Sequence, residues 1–208
     1  MISFAAGAEY IQTAGSFPEP ATATVMYWFT PNSVTGDNRL VGTDTLWESR
    51  LSGTSMLHEY RQGTQPTISQ VFAIGTEYHV AFTFDGTNKG AYVDAVADPL
   101  PSALTNGANG TDTALSIGTS TWNLGQGANA LIEDVRIYNR VLSQKEIEQI
   151  FNGNGRDQLY DGLIHWWPLN LGPDGGTVTS EPDVVGKQNM TVVAGTPTYV
   201  KSPRTFLG

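Results

Sequence analysis

Cysteine is absent from the 208 residues. No disulfide framework, thiolate metal site or cysteine nucleophile is available, and stability has to come from packing. Basic residues are scarce as well: 11 Lys and Arg stand against 20 Asp and Glu, a formal charge of -9 at pH 7. Without a basic stripe to displace counterions from phosphates, nucleic acid is not an expected partner. No apolar run is long enough to cross a bilayer, and the opening MISFAAGAEYIQ has no basic segment leading into an apolar one. Neither membrane insertion nor a secretory leader is expected, and synthesis in a cytoplasm follows, with an extracellular place left to a chain whose leader has been removed. Histidine is rare too. His58, His79 and His165 fall in separate expected strands without an HExxH pair, and GxSxG, Walker and GxGxxG motifs are missing. The usual sequence signs of hydrolase, nucleotide and dinucleotide sites are therefore lacking.

Turn formers are plentiful: 23 Gly and 11 Pro, with frequent Thr, Asn and Ser, join short apolar runs. Residues 24–30 (TVMYWFT) form a β-branched and aromatic run closed by Pro31-Asn32, which predicts a central strand. Residues 78–84 (YHVAFTF) alternate before Asp85-Gly86, and a second strand over 91–96 returns from that turn. Weaker strands are expected around 39–41, 55–60, 67–72 and 114–118. Helical periodicity is confined to the end of residues 130–151 (ALIEDVRIYNRVLSQKEIEQIF). Ser143 caps it, Glu146 closes the box, Leu142 and Ile147 staple it, and Asn152-Gly153 predicts a left-handed stop. Upstream, Val135 and Ile137 are expected on one side and Asp134 and Arg136 on the other, as in a strand with one wet face. The fold class is all-β: a two-sheet antiparallel sandwich with one short helix near 143–152.

Four pieces in order, YHVAFTFDGT from Tyr78, AYVD from Ala91, LSIG from Leu115 and IEDVRIYNRVLSQKEI from Ile132, resemble the signature of laminin-G-like domains of the concanavalin A-like jelly roll. The opening ISFAAGAEYI is similar to the family's early strand, with Ala5 where an Asp is usual. Residues 162–203 resemble the piece that normally precedes that strand. The order implies a circularly permuted domain, residues 1–208 as one unit, in which 162–208 complete the same sandwich.

The related glucanases carry a Glu-x-Asp-x-x-Glu strand, which is missing here. Glu133-Asp134 is the nearest acidic pair, and alternation places its members on opposite sheet faces, unable to flank one glycosidic bond. The resemblance therefore implies a non-enzyme without cofactor. Calcium at a rim is the family's other habit, for which the loop acids are Asp37, Asp44 and Asp112, without an EF-hand run. For a sugar, two loops offer a ring beside amide or carboxylate groups: Trp122 with Asn123 and Gln126, and Trp47 with Asp44 and Glu48. One ring of Trp166-Trp167 is expected to face outward, available to a protein interface. The function expected first is a structural or adhesion module of a bacteriophage or other virion surface, a capsid decoration or fibre component. Such a module acts through protein–protein contacts, as a homo-oligomer or with capsid proteins. The alternative is a lectin-like, carbohydrate-binding module that recognises a glycan through its rim loops.

Overall fold

A computed structural model describes residues 1–5, 7, 9–43, 47–60, 67–100, 111–112, 114–119 and 126–204, with the side chains of 57–60 and 111–112 left out. In chain order the strands begin β1 (Ile2–Phe4), β2 (Tyr10–Thr13), β3 (Phe17–Pro18), β4 (Ala23–Pro31), β5 (Asp37–Thr43) and β6 (Trp47–Ser52). Then come β7 (Ser55–Tyr60), β8 (Thr67–Ile68), β9 (Tyr78–Phe84), β10 (Lys89–Val93), β11 (Val96–Asp98), β12 (Thr111–Asp112) and β13 (Leu115–Ile117). The chain closes with β14 (Ala130–Tyr138), α1 (Gln144–Gly153), β15 (Leu163–Trp167), β16 (Ser180–Glu181), β17 (Met190–Ala194) and β18 (Thr198–Tyr199).

Two antiparallel sheets make the sandwich. The first runs β11-β10-β9-β4-β14-β1-β18, with β15 also on β14; the second runs β16-β17-β2-β13-β5-β6-β7-β8. Between them lies one core, to which the first sheet gives Val25, Tyr27, Phe29, Val80, Phe82 and Ile132, and the second Ile11, Val41, Trp47, Leu51 and Ile117. Tyr27 crosses it, donating its hydroxyl to Ser49 Oγ at 2.6 Å, so a buried phenol keeps its polar end satisfied.

The other face of the first sheet is covered by α1. Ser143 and Glu146 form the capping box, and Leu142 and Ile147 share a second buried cluster with Met26, Ala81, Tyr138, Ile150 and Trp166. The helix runs past the expected stop: its left-handed cap is Asn154 (φ 50°), not the Asn152-Gly153 pair. The strand expected over 91–96 is divided in the same manner. Asp94 and Ala95 both take positive φ (49° and 63°), making a two-residue hairpin turn between β10 and β11.

One irregularity sets the charge pattern. Glu133 pairs with Trp28 and Arg136 with Met26, leaving Asp134 and Val135 opposite Tyr27, a bulge centred on Asp134 at φ 55°. Glu133 and Arg136 are thereby brought to the same face, and that face lies beneath α1 rather than in water. The expected wet face is corrected accordingly: Asp134 and Arg136 are each 2% exposed. The bulge also divides β14's free edge, with β1 on Ala130–Ile132 and β15 from Val135 onward.

Candidate functional site

Glu133 and Asp134, the nearest acidic pair in the sequence, turn out to share the helix-covered side. Asp134 accepts from Arg136 Nε at 2.7 Å and Nη2 at 3.1 Å, and from the Trp166 indole at 2.7 Å. Arg136 continues to Asp157 at 2.8 Å. Glu133 pairs with Arg204, which also reaches Glu77 and lies 3.5 Å over the Trp28 ring. Burial raises the Asp134 and Glu133 carboxyls, and the arginines pull against it. Burial opposes the charge of Arg136 too, yet Asp134 and Asp157 more than offset it and raise its pKa. The pair is inaccessible and neutralised, which is what a framework needs and a glycosidase cannot use.

Both tryptophans of the Trp166-Trp167 step are enclosed, which removes the expected outward ring. Trp167 lies in the main core and Trp166 under α1 on the opposite face, 5% exposed. His79 and His165 are framework groups as well, and the side chain of His58 lies outside the described residues. His79 packs against Trp28 at 4.8 Å and Phe151 at 6.0 Å, and burial, helped by Arg136 and Arg204, pushes its pKa down to about 3. His165 Nδ1 lies 2.6 Å from Asp183, whose carboxylate also accepts from the backbone amides of Trp166, Val185, Gly186 and Gln188. Burial works against the Asp183 charge, but these donors outweigh it and hold its pKa below the ordinary value.

A different grouping appears on the outer face of the second sheet. Strand alternation sends Trp47, Ser49 and Leu51 inward and Glu48 and Arg50 outward. The Trp47 ring is 3% exposed in the core, so it leaves the set of sugar-stacking candidates. Register then places Arg50 opposite Arg39 and Glu48 opposite Gly42, with Asp37 two residues before Arg39 on the same face. Arg39 pairs with Glu48 and donates from Nε to Gln126 Oε1 at 3.0 Å. Gln126 Nε2 reaches Asp37 at 3.4 Å, and Arg50 lies 3.3 Å from Glu48 and 3.7 Å from Asp37. Glu48 and Gln126, read separately from the sequence, thus meet through Arg39. Asp37, one of the three calcium candidates, already faces a guanidinium and an amide donor. Asp44, Trp122 and Asn123 lie outside the described residues, as does the side chain of Asp112.

Arg39 and Arg50 carry no motif, and only the pairing of β5 with β6 reveals them as neighbours. A signal for Glu48 and Arg50 was present in the alternation of WESRLS, which separates inward from outward side chains. Elsewhere an open groove of about 420 Å³ runs beside β11, walled by Val71, Val93, Val96 and Pro99 with Gln70 and Asp98. It has no aromatic ring in its lining.

With the sandwich, its single helix and this polar face in place, the comparisons are direct. The profile of the concanavalin A-like lectin/glucanases superfamily matches residues 5–148, and the chain belongs to that superfamily. No curated protein sequence matches it. A proposed carbohydrate binding protein of Bacteroides ovatus ATCC 8483 superposes over 100% of the chain with a TM-score of 0.67 and 16% identity, and the chain spans 63% of that protein. The heptameric SAP-like pentraxin of Limulus polyphemus gives a TM-score of 0.57 and 10% identity, over 78% of this chain and 89% of the pentraxin. Trypanosoma rangeli sialidase gives 0.53 and 15%, over 73% of this chain but 32% of the enzyme. At such identities the likeness is one of fold.

Proposed function

We propose that the protein is a non-enzymatic glycan-binding module that uses the outer face of the second sheet around Asp37, Arg50 and Gln126. The observation that carries this reading is the Arg39 junction, which gathers amide, carboxylate and guanidinium groups from separate parts of the chain on one sheet face. Sugar hydroxyls are read by such mixed donor and acceptor sets, and Trp122, four residues before Gln126, is the ring proposed to stack beside them. Membership of a lectin-bearing superfamily and the likeness to a proposed carbohydrate binding protein lean the same way. The non-enzymatic part draws on the burial and neutralisation of Glu133 and Asp134; the sialidase likeness covers a minor part of that enzyme and carries no activity over. The virion-surface role expected from the sequence draws no support from the family match or these neighbours, which favour the glycan alternative.

A glycan array with the wild-type protein and the Gln126→Ala, Asp37→Ala and Trp122→Ala variants tests the reading. Specific binding that falls at least about tenfold in these variants is expected, equivalent to ~1.4 kcal/mol. An array on which the folded protein binds nothing, or binding indifferent to all three changes, overturns it.

A further inference from the structure

We infer that the ligand of this face is an uncharged glycan, not a sialylated, uronate-bearing or sulfated one; the inference rests on the glycan reading and adds a ligand class to it. Among the described side chains, the charges on the face are two guanidiniums, Arg39 and Arg50, and two carboxylates, Glu48 and Asp37. Those four cancel, and the β6–β7 register sets Glu59 opposite Glu48, which adds an acidic residue to the same stretch of sheet. Arg39 is committed to Glu48 and Gln126, and its side chain is 3% exposed. Arg50 stands between both carboxylates, with its side chain 17% exposed against 24% for that of Asp37. An approaching anionic sugar therefore meets a carboxylate as the most open charge. To reach Arg50 it has to compete with Glu48 and Asp37, which already pair with that guanidinium, and separating such charges without a full replacement is costly. The formal charge of -9 over the chain adds a repulsive field at low salt.

A neutral sugar meets none of these penalties. A hydroxyl can donate to Asp37 while its neighbour accepts from Arg50 or from the Gln126 amide, and the existing ion pairs persist because a hydroxyl is both donor and acceptor. Asp37 becomes the specificity-determining group: it accepts from hydroxyls and turns anions away. Its position at the start of β5, partly exposed, makes it replaceable without emptying the core.

The test is an array divided into neutral, sialylated, uronate-bearing and sulfated glycans, followed by calorimetry on the strongest binder at about 0.05 and 0.5 M salt. Binding to neutral glycans is expected, with an affinity that changes less than about twofold with salt. Asp37→Asn is expected to weaken neutral binding by about tenfold and Asp37→Lys to admit acidic glycans, each with a thermal transition close to wild type. Binding confined to acidic glycans, or neutral binding unchanged in Asp37→Asn, overturns the inference while leaving a glycan-binding module. Silence across the whole array from folded protein removes both.

Discussion

Arg39 holds Gln126 by one hydrogen bond of 3.0 Å from its Nε while the same guanidinium pairs with Glu48. One buried cation thereby fixes a residue of the segment before β14 against the middle of the second sheet. Removing it strands a carboxylate. Arg39→Met should destabilise the protein by about 3 kcal/mol in urea unfolding, because among the described residues Glu48 then keeps only the longer Arg50 contact. Gln126→Ala should cost under ~1 kcal/mol, since its amide is partly solvated. Equal effects from the two changes would show that the Arg39–Glu48 pair is not the anchor.

Asp134 performs two tasks, one conformational and one electrostatic, and two substitutions separate them. Asp134→Asn keeps a side chain tolerant of φ 55° and an acceptor for Trp166, losing only the charge opposite Arg136. Asp134→Ala loses all three and should cost more, about 3–5 kcal/mol. Denaturant curves that place Ala at or above Asn in stability would refute the assignment.

His79 governs part of the acid limb of stability. Its pKa is depressed to about 3 in the folded protein against an ordinary 6.5, so below pH 6.5 the unfolded chain takes up a proton that the folded one refuses. Stability should fall with pH between about 6.5 and 3, by up to ~1.4 kcal/mol per pH unit from this one group. Glu133 and Glu181, both raised by burial, act in the opposite sense as they protonate in the folded state. His79→Phe should therefore flatten the acid limb by about one proton in a plot of unfolding free energy against pH. An unchanged slope would mean that His79 is not protected from protonation.

Ser143→Ala removes the cap that satisfies Glu146 N, and should cost about 1 kcal/mol. Phe151→Ala, which deletes a ring stacked on Trp28 at 5.3 Å, should cost more, about 2–3 kcal/mol, because the Trp28 indole then loses the part of its cover that α1 supplies. Thermal melts of the two variants give the order directly. The reverse order would place the helix's stability in its cap instead of its docking.

Local chemistry was legible wherever neighbours in sequence decide the outcome. The capping box at Ser143 and Glu146 is an example, as is the alternation of residues 78–84, which coincides with β9. The bulge was not, since nothing local announces that Asp134 takes a left-handed conformation. It follows from pairing β14 with β4, and it overturned the opposite placement of Glu133 and Asp134, while the cover of α1 overturned the wet face. The polar face on the second sheet failed to show for the same reason. Asp37 and Gln126 are separated by 89 residues, and their meeting depends on strand order. Trp47 illustrates a simpler error: polar neighbours in TDTLWES suggested a rim, whereas alternation within β6 directs that ring into the core.

The divided edge of β14 has a consequence for how the molecule is made. Its neighbours on that edge come from residues 2–4 and 163–167, while β4 occupies the other edge. A nascent chain that has just emerged through α1 still carries one open edge from Val135 to Tyr138, and β17 and β18 are yet to be added to β2 and β1. Neither sheet is complete until the last segment arrives, and the intermediate presents open strand edges to its neighbours. Closure of the sandwich is a late, non-local event, with the slow kinetics that such contacts impose.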